Sequence, residues 1–270
     1  MGLGFSFEKL SYSHSNGKVA LQGIELSANP GEQMAIVGPS GAGKTTFLNI
    51  LATGTRPLLG QIEILGKRPW ELSGVELKKL RSKIGLIHQA PPLPPKQRVV
   101  TAVLAGKLGQ WSLLKSILSL LYPVDITGAH NSLAQLDLGE RLFERCDQLS
   151  GGQLQRVGIA RVLYQEPELM LADEPVSAMD PVLSDLTIKR LTQYASNKGV
   201  TFVASLHDIE IALKWFPRMI GLREGKIMFD LPTPKVTQKL LQELYASEMD
   251  SPDLNSSTQS TVVLQKSFEL

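Results

Sequence analysis

Gly38-Pro39-Ser40-Gly41-Ala42-Gly43-Lys44-Thr45 fits the phosphate-loop pattern G-x-x-x-x-G-K-[ST]. Backbone N–H groups in such a glycine-rich turn, helped by the positive end of a following helix dipole, surround phosphate oxygens. Lys44 would then reach β- and γ-phosphates, and the Thr45 hydroxyl would ligate Mg²⁺. Asp173-Glu174 makes a second cluster, closing the apolar run Leu169-Met170-Leu171-Ala172. Two carboxylates at the end of a buried run are costly to desolvate without a cation or hydrogen-bond partners, so they should face a site. Asp173 fits the Mg²⁺-holding carboxylate of phosphate-loop enzymes, and Glu174 fits a base that polarises an attacking water. Gln89 and His207 each end another short apolar run. A lone histidine is usually structural, but this one occupies the equivalent end of a run.

Elements must bring these groups together. Met34 to Val37 reads as a buried strand and Thr46 to Leu51 as a helix with Phe47, Leu48 and Leu51 on one face, so the glycines lie where a strand hands over to a helix. Lys83 to Gln89, Leu169 to Ala172 and Val200 to Leu206 are further short apolar runs separated by helical segments, which is the pattern of an open parallel sheet. Ligands of such sheets bind beyond the carboxyl ends of the strands. Lys44/Thr45, Gln89, Asp173/Glu174 and His207 are therefore expected to converge on one nucleotide.

Phe5 to Leu10 and Ala20 to Leu26 flank Asn16-Gly17, a hairpin-turn signal, and Gln61 to Gly66 is a candidate strand for the same antiparallel sheet. Tyr12, at the end of the first of these strands, is either a sheet-surface aromatic or an adenine-stacking platform. Pro91, Pro92, Pro94 and Pro95 forbid helix and sheet ladders and impose an extended loop after Gln89. From Thr101 to about Gln148 the pattern is helical, with apolar clusters at Val103/Leu104, Leu113/Leu114 and Ile117/Leu118/Leu121, and reads as an inserted helical subdomain (about 95–160). Ser150-Gly151-Gly152-Gln153 then precedes a helix over Leu154 to Tyr164, either as an N-cap with glycine punctuation or as an anion-binding N-terminus. Met219 to Leu222 and Lys226 to Phe229 should close the sheet as a hairpin. Residues 246–270 are rich in Ser and Thr and read as a loosely ordered tail beyond a domain over 1–245.

The 270 residues, with 28 basic against 26 acidic side chains and a net charge of +2, carry no electrostatic footprint for nucleic acid. Cys146 is the only cysteine, which rules out an intrachain disulfide and permits a reducing compartment. Met1 to Glu8 has neither a basic leader nor an apolar core of signal-peptide length. The densest apolar stretch, Leu113 to Val124, is interrupted by Lys115 and Pro123 and falls short of the roughly 20 residues a spanning helix needs. Any membrane association is expected to come through a partner.

Leu149-Ser150-Gly151-Gly152-Gln153 resembles the signature of the ABC transporter ATPases, and the resemblance runs from about Phe5 to Tyr245. It implies an α/β phosphate-loop core with an N-terminal antiparallel β subdomain and the inserted helical subdomain. Tyr12 takes the adenine-stacking position, and Gly38, Pro39, Ser40, Gly41, Ala42, Gly43, Lys44, Thr45 and Thr46 hold the phosphates. Thr45, Gln89 and Asp173 face Mg²⁺, Glu174 is the base, Ser177-Ala178-Met179-Asp180 is the D-loop, and His207 is the switch histidine. Two copies would close head to tail around two ATP molecules, each site pairing the phosphate loop of one with Ser150 to Gln153 of the other.

Within the family the chain is most similar to phosphonate-import ATPases, through Leu80 to Gly85, Val103 to Gly109, Ala172 to Val176, Ser205 to His207 and Gly221 to Gly225. That implies a peripheral ATPase at the cytoplasmic face of the plasma (inner) membrane, with permease subunits as partners and a solute-binding protein as an indirect one. The rival readings are the energiser of another importer (phosphate, amino acid, metal) or of an exporter, and a soluble non-transport ABC protein. The last usually carries a coiled-coil insertion or tandem cassettes, and neither is present. His88, the segment Pro91 to Pro95 and Met179 depart from the family pattern without removing a catalytic group.

Overall fold

The computed structural model describes residues 3–249. Its core is a six-stranded sheet in the order β5-β6-β7-β3-β8-β9. The strands are β3 (Gln33–Val37), β5 (Ile84–Ile87), β6 (Leu169–Asp173), β7 (Thr201–Ser205), β8 (Arg218–Arg223) and β9 (Lys226–Pro232). β3, β5, β6, β7 and β8 are parallel, and β9 returns antiparallel along β8 as the expected edge hairpin. A second sheet of three antiparallel strands has the order β2-β1-β4. Its strands are β1 (Phe5–Ser13), β2 (Val19–Ala28) and β4 (Leu59–Ile64).

The central strands are buried on both faces, which is why they read as unbroken apolar runs. Strand alternation still divides their side chains between two cores. Met34 and Ile36 of β3, Leu169 and Leu171 of β6 and Val203 of β7 pack toward the antiparallel sheet, with Phe5, Phe7, Leu10 and Phe47. Ala35, Val37, Met170, Ala172, Phe202 and Ala204 pack the other way, against the helices. The first core holds helix α1 (Lys44–Leu51) between the sheets through Phe47, Leu48 and Leu51, the face expected for it. α1 therefore cannot shift without disturbing both sheets, and its N-terminus is a fixed point.

α2 (Gly74–Arg81) carries a Ser73–Glu76 capping box and precedes β5. After the proline segment come α3 (Val99–Leu104), α4 (Leu113–Leu121) and α5 (Ile126–Ala134), then α6 (Gly151–Gln165). The apolar clusters expected in this stretch separate. Val103 and Leu104 lie in the core, whereas Leu113, Leu114, Ile117, Leu118 and Leu121 of α4 face outward, Leu114 and Leu121 being 79 % and 82 % exposed. α4 is turned inside out: Ser119 is its buried residue, its hydroxyl donating to the Ser116 carbonyl.

α7 (Pro181–Lys198) follows β6, α8 (Ile209–Trp215) follows β7, and α9 (Gln238–Met249) follows β9. α9 runs through the boundary drawn at Ala246 as far as Met249, and the rest of the tail, 250–270, lies outside the described residues. Cys146 is buried, and burial together with neighbouring Asp147 pushes its thiol pKa up.

Candidate functional site

Gly38 leaves β3 with φ +151°, and a Cβ there would run into the Leu222 carbonyl. Gly43, the N-cap of α1, has φ +106°, and a Cβ would lie 2.5 Å from the Ala20 carbonyl oxygen. Both positions need glycine, because a side chain would have nowhere to go and would resist the backbone conformation. With them the chain folds back far enough for Lys44 to be 5 % exposed, its Nζ donating to the carbonyls of Gly38 (2.6 Å) and Pro39 (3.1 Å). Its ammonium is thus held inside the loop's curve. A cleft of about 210 Å³ is lined by Ser40 to Thr46, with Lys18, Val19, Ala20, His14, Glu174 and His207.

The other polar groups arrive from neighbouring strand ends. The Thr45 hydroxyl, at the start of α1, donates to Asp173 Oδ1 at 3.2 Å. The same carboxylate oxygen accepts from the Ser205 hydroxyl at 2.7 Å, tying the end of β6 to the end of β7. Glu174, one residue past β6, has φ +47°, and its N–H donates to Ser205 Oγ at 3.1 Å. A non-glycine residue held at positive φ marks strain that the surroundings must impose. Its side chain is gripped twice: Gln89 Nε2 donates to Oε2 at 2.7 Å, and His207 Nε2 meets Oε1 at 2.5 Å.

The four strand-end clusters read from the sequence thus meet in one place. The remaining candidate residues lie outside this cleft. His14 lines the cleft rather than Tyr12, whose ring stands edge-on to His14 with centroids 5.4 Å apart. Ser150 to Gln153 form a reciprocal capping box at the start of α6, with the Gln153 N–H on Ser150 Oγ (3.3 Å) and the Ser150 N–H on Gln153 Oε1 (2.8 Å). Asp180 caps α7 by accepting from the Leu183 N–H at 3.0 Å. Neither group lines the phosphate-loop cleft of its own chain among the described residues. Gly152 packs close to the D-loop, a Cβ there lying 2.9 Å from the Ala178 carbonyl oxygen.

Two residues that the motif reading passed over complete the site. Gln155, 1 % exposed on α6, donates through Nε2 to the carbonyls of Gln89 (3.2 Å) and Glu174 (3.1 Å) and accepts from the Ala178 N–H (3.1 Å). It clasps three loops with one amide. Ser205 links Asp173 to the Glu174 backbone, as described above. Its signal was a hydroxyl at the end of an apolar strand, and that of Gln155 was an amide on the buried face of α6. The departures from the family pattern lie close by. Burial pulls the His88 imidazole below the ordinary histidine pKa, and Arg161 adds to the effect. Met179 accepts a contact from the Thr187 hydroxyl at 3.5 Å and packs against the core. Pro91 lies on α6 where Gly158 offers no side chain, a Cβ there being only 2.7 Å from Pro91 Cβ.

A strand, a glycine-rich loop, a helix and a carboxylate from β6, one strand removed from β3 across β7, define a phosphate-loop nucleotide-binding α/β protein. The profile of the ABC transporter family matches residues 21–177. Phosphonates import ATP-binding protein PhnC 1 of Cupriavidus necator is 58 % identical over 94 % of this chain and 91 % of its own length. PhnC 1 of Pseudomonas syringae pv. tomato is 63 % identical over 88 % of this chain and 90 % of its own. Among solved structures, the dimeric post-hydrolysis cassette MJ0796 bound to ADP and Pi matches with a TM-score of 0.73 and 29 % identity, over 85 % of this chain and 98 % of that one. The cbiO1 subunit of the cbiONQ transporter complex of Clostridium perfringens matches with a TM-score of 0.72 and 25 % identity, over 98 % and 100 %. The chain belongs to the ABC transporter family, as an ATP-binding cassette.

Proposed function

We propose that this chain is the ATP-hydrolysing subunit of an importer for phosphonates or a related phosphorus oxyanion, acting at the cytoplasmic face of the plasma (inner) membrane. The observation that carries the cargo is identity of 58 % to 63 % with phosphonate-import ATPases over almost the whole chain. No residue described above need touch the cargo.

The loop amides and Lys44 hold the β- and γ-phosphates of ATP, and Tyr12 and His14 border the base. The donor set at Thr45, Gln89 and Asp173 is all oxygen, which suits a hard cation that takes its remaining ligands from phosphate and water. No cluster of three or more His, Cys, Asp or Glu side chains fit for a metal occurs among the described residues, so this is no all-protein cage. Bound there, Mg²⁺ would neutralise charge on the phosphates. Glu174 orients and deprotonates water. Gln89 donates to one of its oxygens and His207 meets the other, which holds the carboxylate in place while a second lone pair on each oxygen is left to accept from water.

Ser150 to Gln153 and Asp180 do not line the cleft of their own phosphate loop, which supports a site shared between two copies packed head to tail. ATP then links the subunits, and hydrolysis loosens them. No helix among the described residues is long and apolar enough to cross a membrane. Attachment is through permease subunits, and the solute-binding protein acts indirectly through them. The test is reconstitution with permease and binding protein in vesicles. A phosphonate-loaded binding protein should raise ATPase activity above that seen with amino acids or sugars. Equal rates would remove the cargo reading and leave the ATPase reading standing.

A further inference from the structure

We infer that Tyr245 is a positioning residue of the nucleotide site: its hydroxyl holds the first glycine of the phosphate loop, which makes the C-terminal helix part of the apparatus that sets Lys44. The Gly38 N–H, the first amide beyond β3, donates to Tyr245 Oη at 3.0 Å across 207 residues of sequence. The carbonyl of the same residue accepts from Lys44 Nζ at 2.6 Å. Gly38 cannot retreat, because the Leu222 carbonyl closes the space behind it. One residue thus carries a phenol on its amide side and the phosphate-binding lysine on its carbonyl side.

The helix is fixed well enough to do this. Leu241 and Leu244 are fully buried, and the Glu243 carbonyl accepts from the Arg223 guanidinium at 2.6 Å, tying α9 to the end of β8. β8 in turn pairs with β3 through Gly221 and Val37, so α9, β8 and the loop share one support. Tyr245 follows Leu244 directly and lies one turn beyond Leu241, so packing of the leucines decides where the phenol goes.

Without the hydroxyl, a partly buried N–H loses its acceptor, which costs more than a hydrogen bond gained in water. The loop relaxes by turning that amide toward solvent, and this displaces the carbonyl that carries Lys44. The effect falls on affinity for the triphosphate and leaves the groups around Glu174 in place. This inference rests on the nucleotide reading above.

Tyr245→Phe in the full chain deletes only the oxygen. Its dissociation constant for a non-hydrolysable MgATP analogue should rise about three- to ten-fold, and KM for ATP should rise in parallel with kcat within about two-fold. Unfolding temperature without nucleotide should stay within about 3 °C of the parent. A purely structural role would lower that temperature and leave affinity unchanged; unchanged affinity overturns the inference. Lys44→Ala is measured alongside. If it binds the analogue as the parent does, the nucleotide reading itself fails, whereas normal binding by Tyr245→Phe with loss in Lys44→Ala removes only the role of Tyr245. If Tyr245→Phe does not fold, hydrogen exchange at the Gly38 amide of the unaltered chain decides. Protection is expected, and exchange at the rate of an open loop overturns the inference.

Discussion

Asp173 and Glu174 are adjacent in sequence yet held by different partners, and they should fail differently. Asp173 shares one oxygen between Thr45 and Ser205, and it is the carboxylate proposed above to hold Mg²⁺. Asp173→Asn should weaken Mg²⁺-dependent nucleotide binding, measured by calorimetry with and without the metal. Glu174→Gln should leave binding within about three-fold while turnover falls by about 10² or more, since a positioned base contributes roughly that much. Gln155 offers a separate test. Gln155→Leu leaves the Gln89 and Glu174 carbonyls without their donor, so stability should drop by about 1 to 3 kcal/mol in urea unfolding, with turnover falling as the loops lose register. Unchanged turnover in a destabilised Gln155→Leu would confine that amide to a packing role.

α4 and the proline segment present the surfaces that a single cassette leaves uncovered. Apolar side chains on one helix are normally turned inward, and a contiguous outward set marks an interaction surface. With the importer reading proposed above, a permease subunit is the expected occupant of that surface. Leu114→Glu with Leu121→Glu should change the stability of the isolated subunit by no more than about 0.5 kcal/mol, because neither side chain is buried, while transport in vesicles is lost. Pro91 is seated on α6 at Gly158, so this loop is partly ordered before any partner arrives. Replacing Pro91 and Pro92 by alanine should weaken coupling of hydrolysis to transport more than hydrolysis by the free subunit. Equal losses in the two assays would count against docking there.

Assembly is where the separate pieces acquire a common task. If ATP bridges Lys44 of one copy and Ser150 of another, Glu174→Gln should accumulate as an ATP-dependent dimer, because the nucleotide stays intact. Ser150→Arg added to it should abolish that dimer by placing a bulky side chain against the bridging phosphate. Light scattering with MgATP reads both. A Glu174→Gln protein that remained monomeric at high protein and ATP concentration would sink either the shared site or the assignment of this glutamate.

Phosphate-loop chemistry is carried by consecutive residues, so Gly38 to Thr45 announced it without a fold; the strand and helix on either side were equally plain, since a short unbroken apolar run and a helical pattern are both local. The parallel sheet followed from apolar runs ending in polar residues, and the hairpin of β1 and β2 from Asn16-Gly17. Contacts between distant segments were another matter. That one oxygen of Asp173 meets both Thr45 and Ser205, that Gln155 reaches back to Gln89, and that Tyr245 closes on Gly38 depend on which strand ends are neighbours, and a sheet order such as β5-β6-β7-β3-β8-β9 leaves no trace in periodicity. The direction in which α4 faces is of the same kind. A one-dimensional pattern tells that a helix has an apolar face, but whether that face meets the core or the outside is decided by tertiary packing: Val103 and Leu104 of α3 join the core, whereas the leucines of α4 stay exposed.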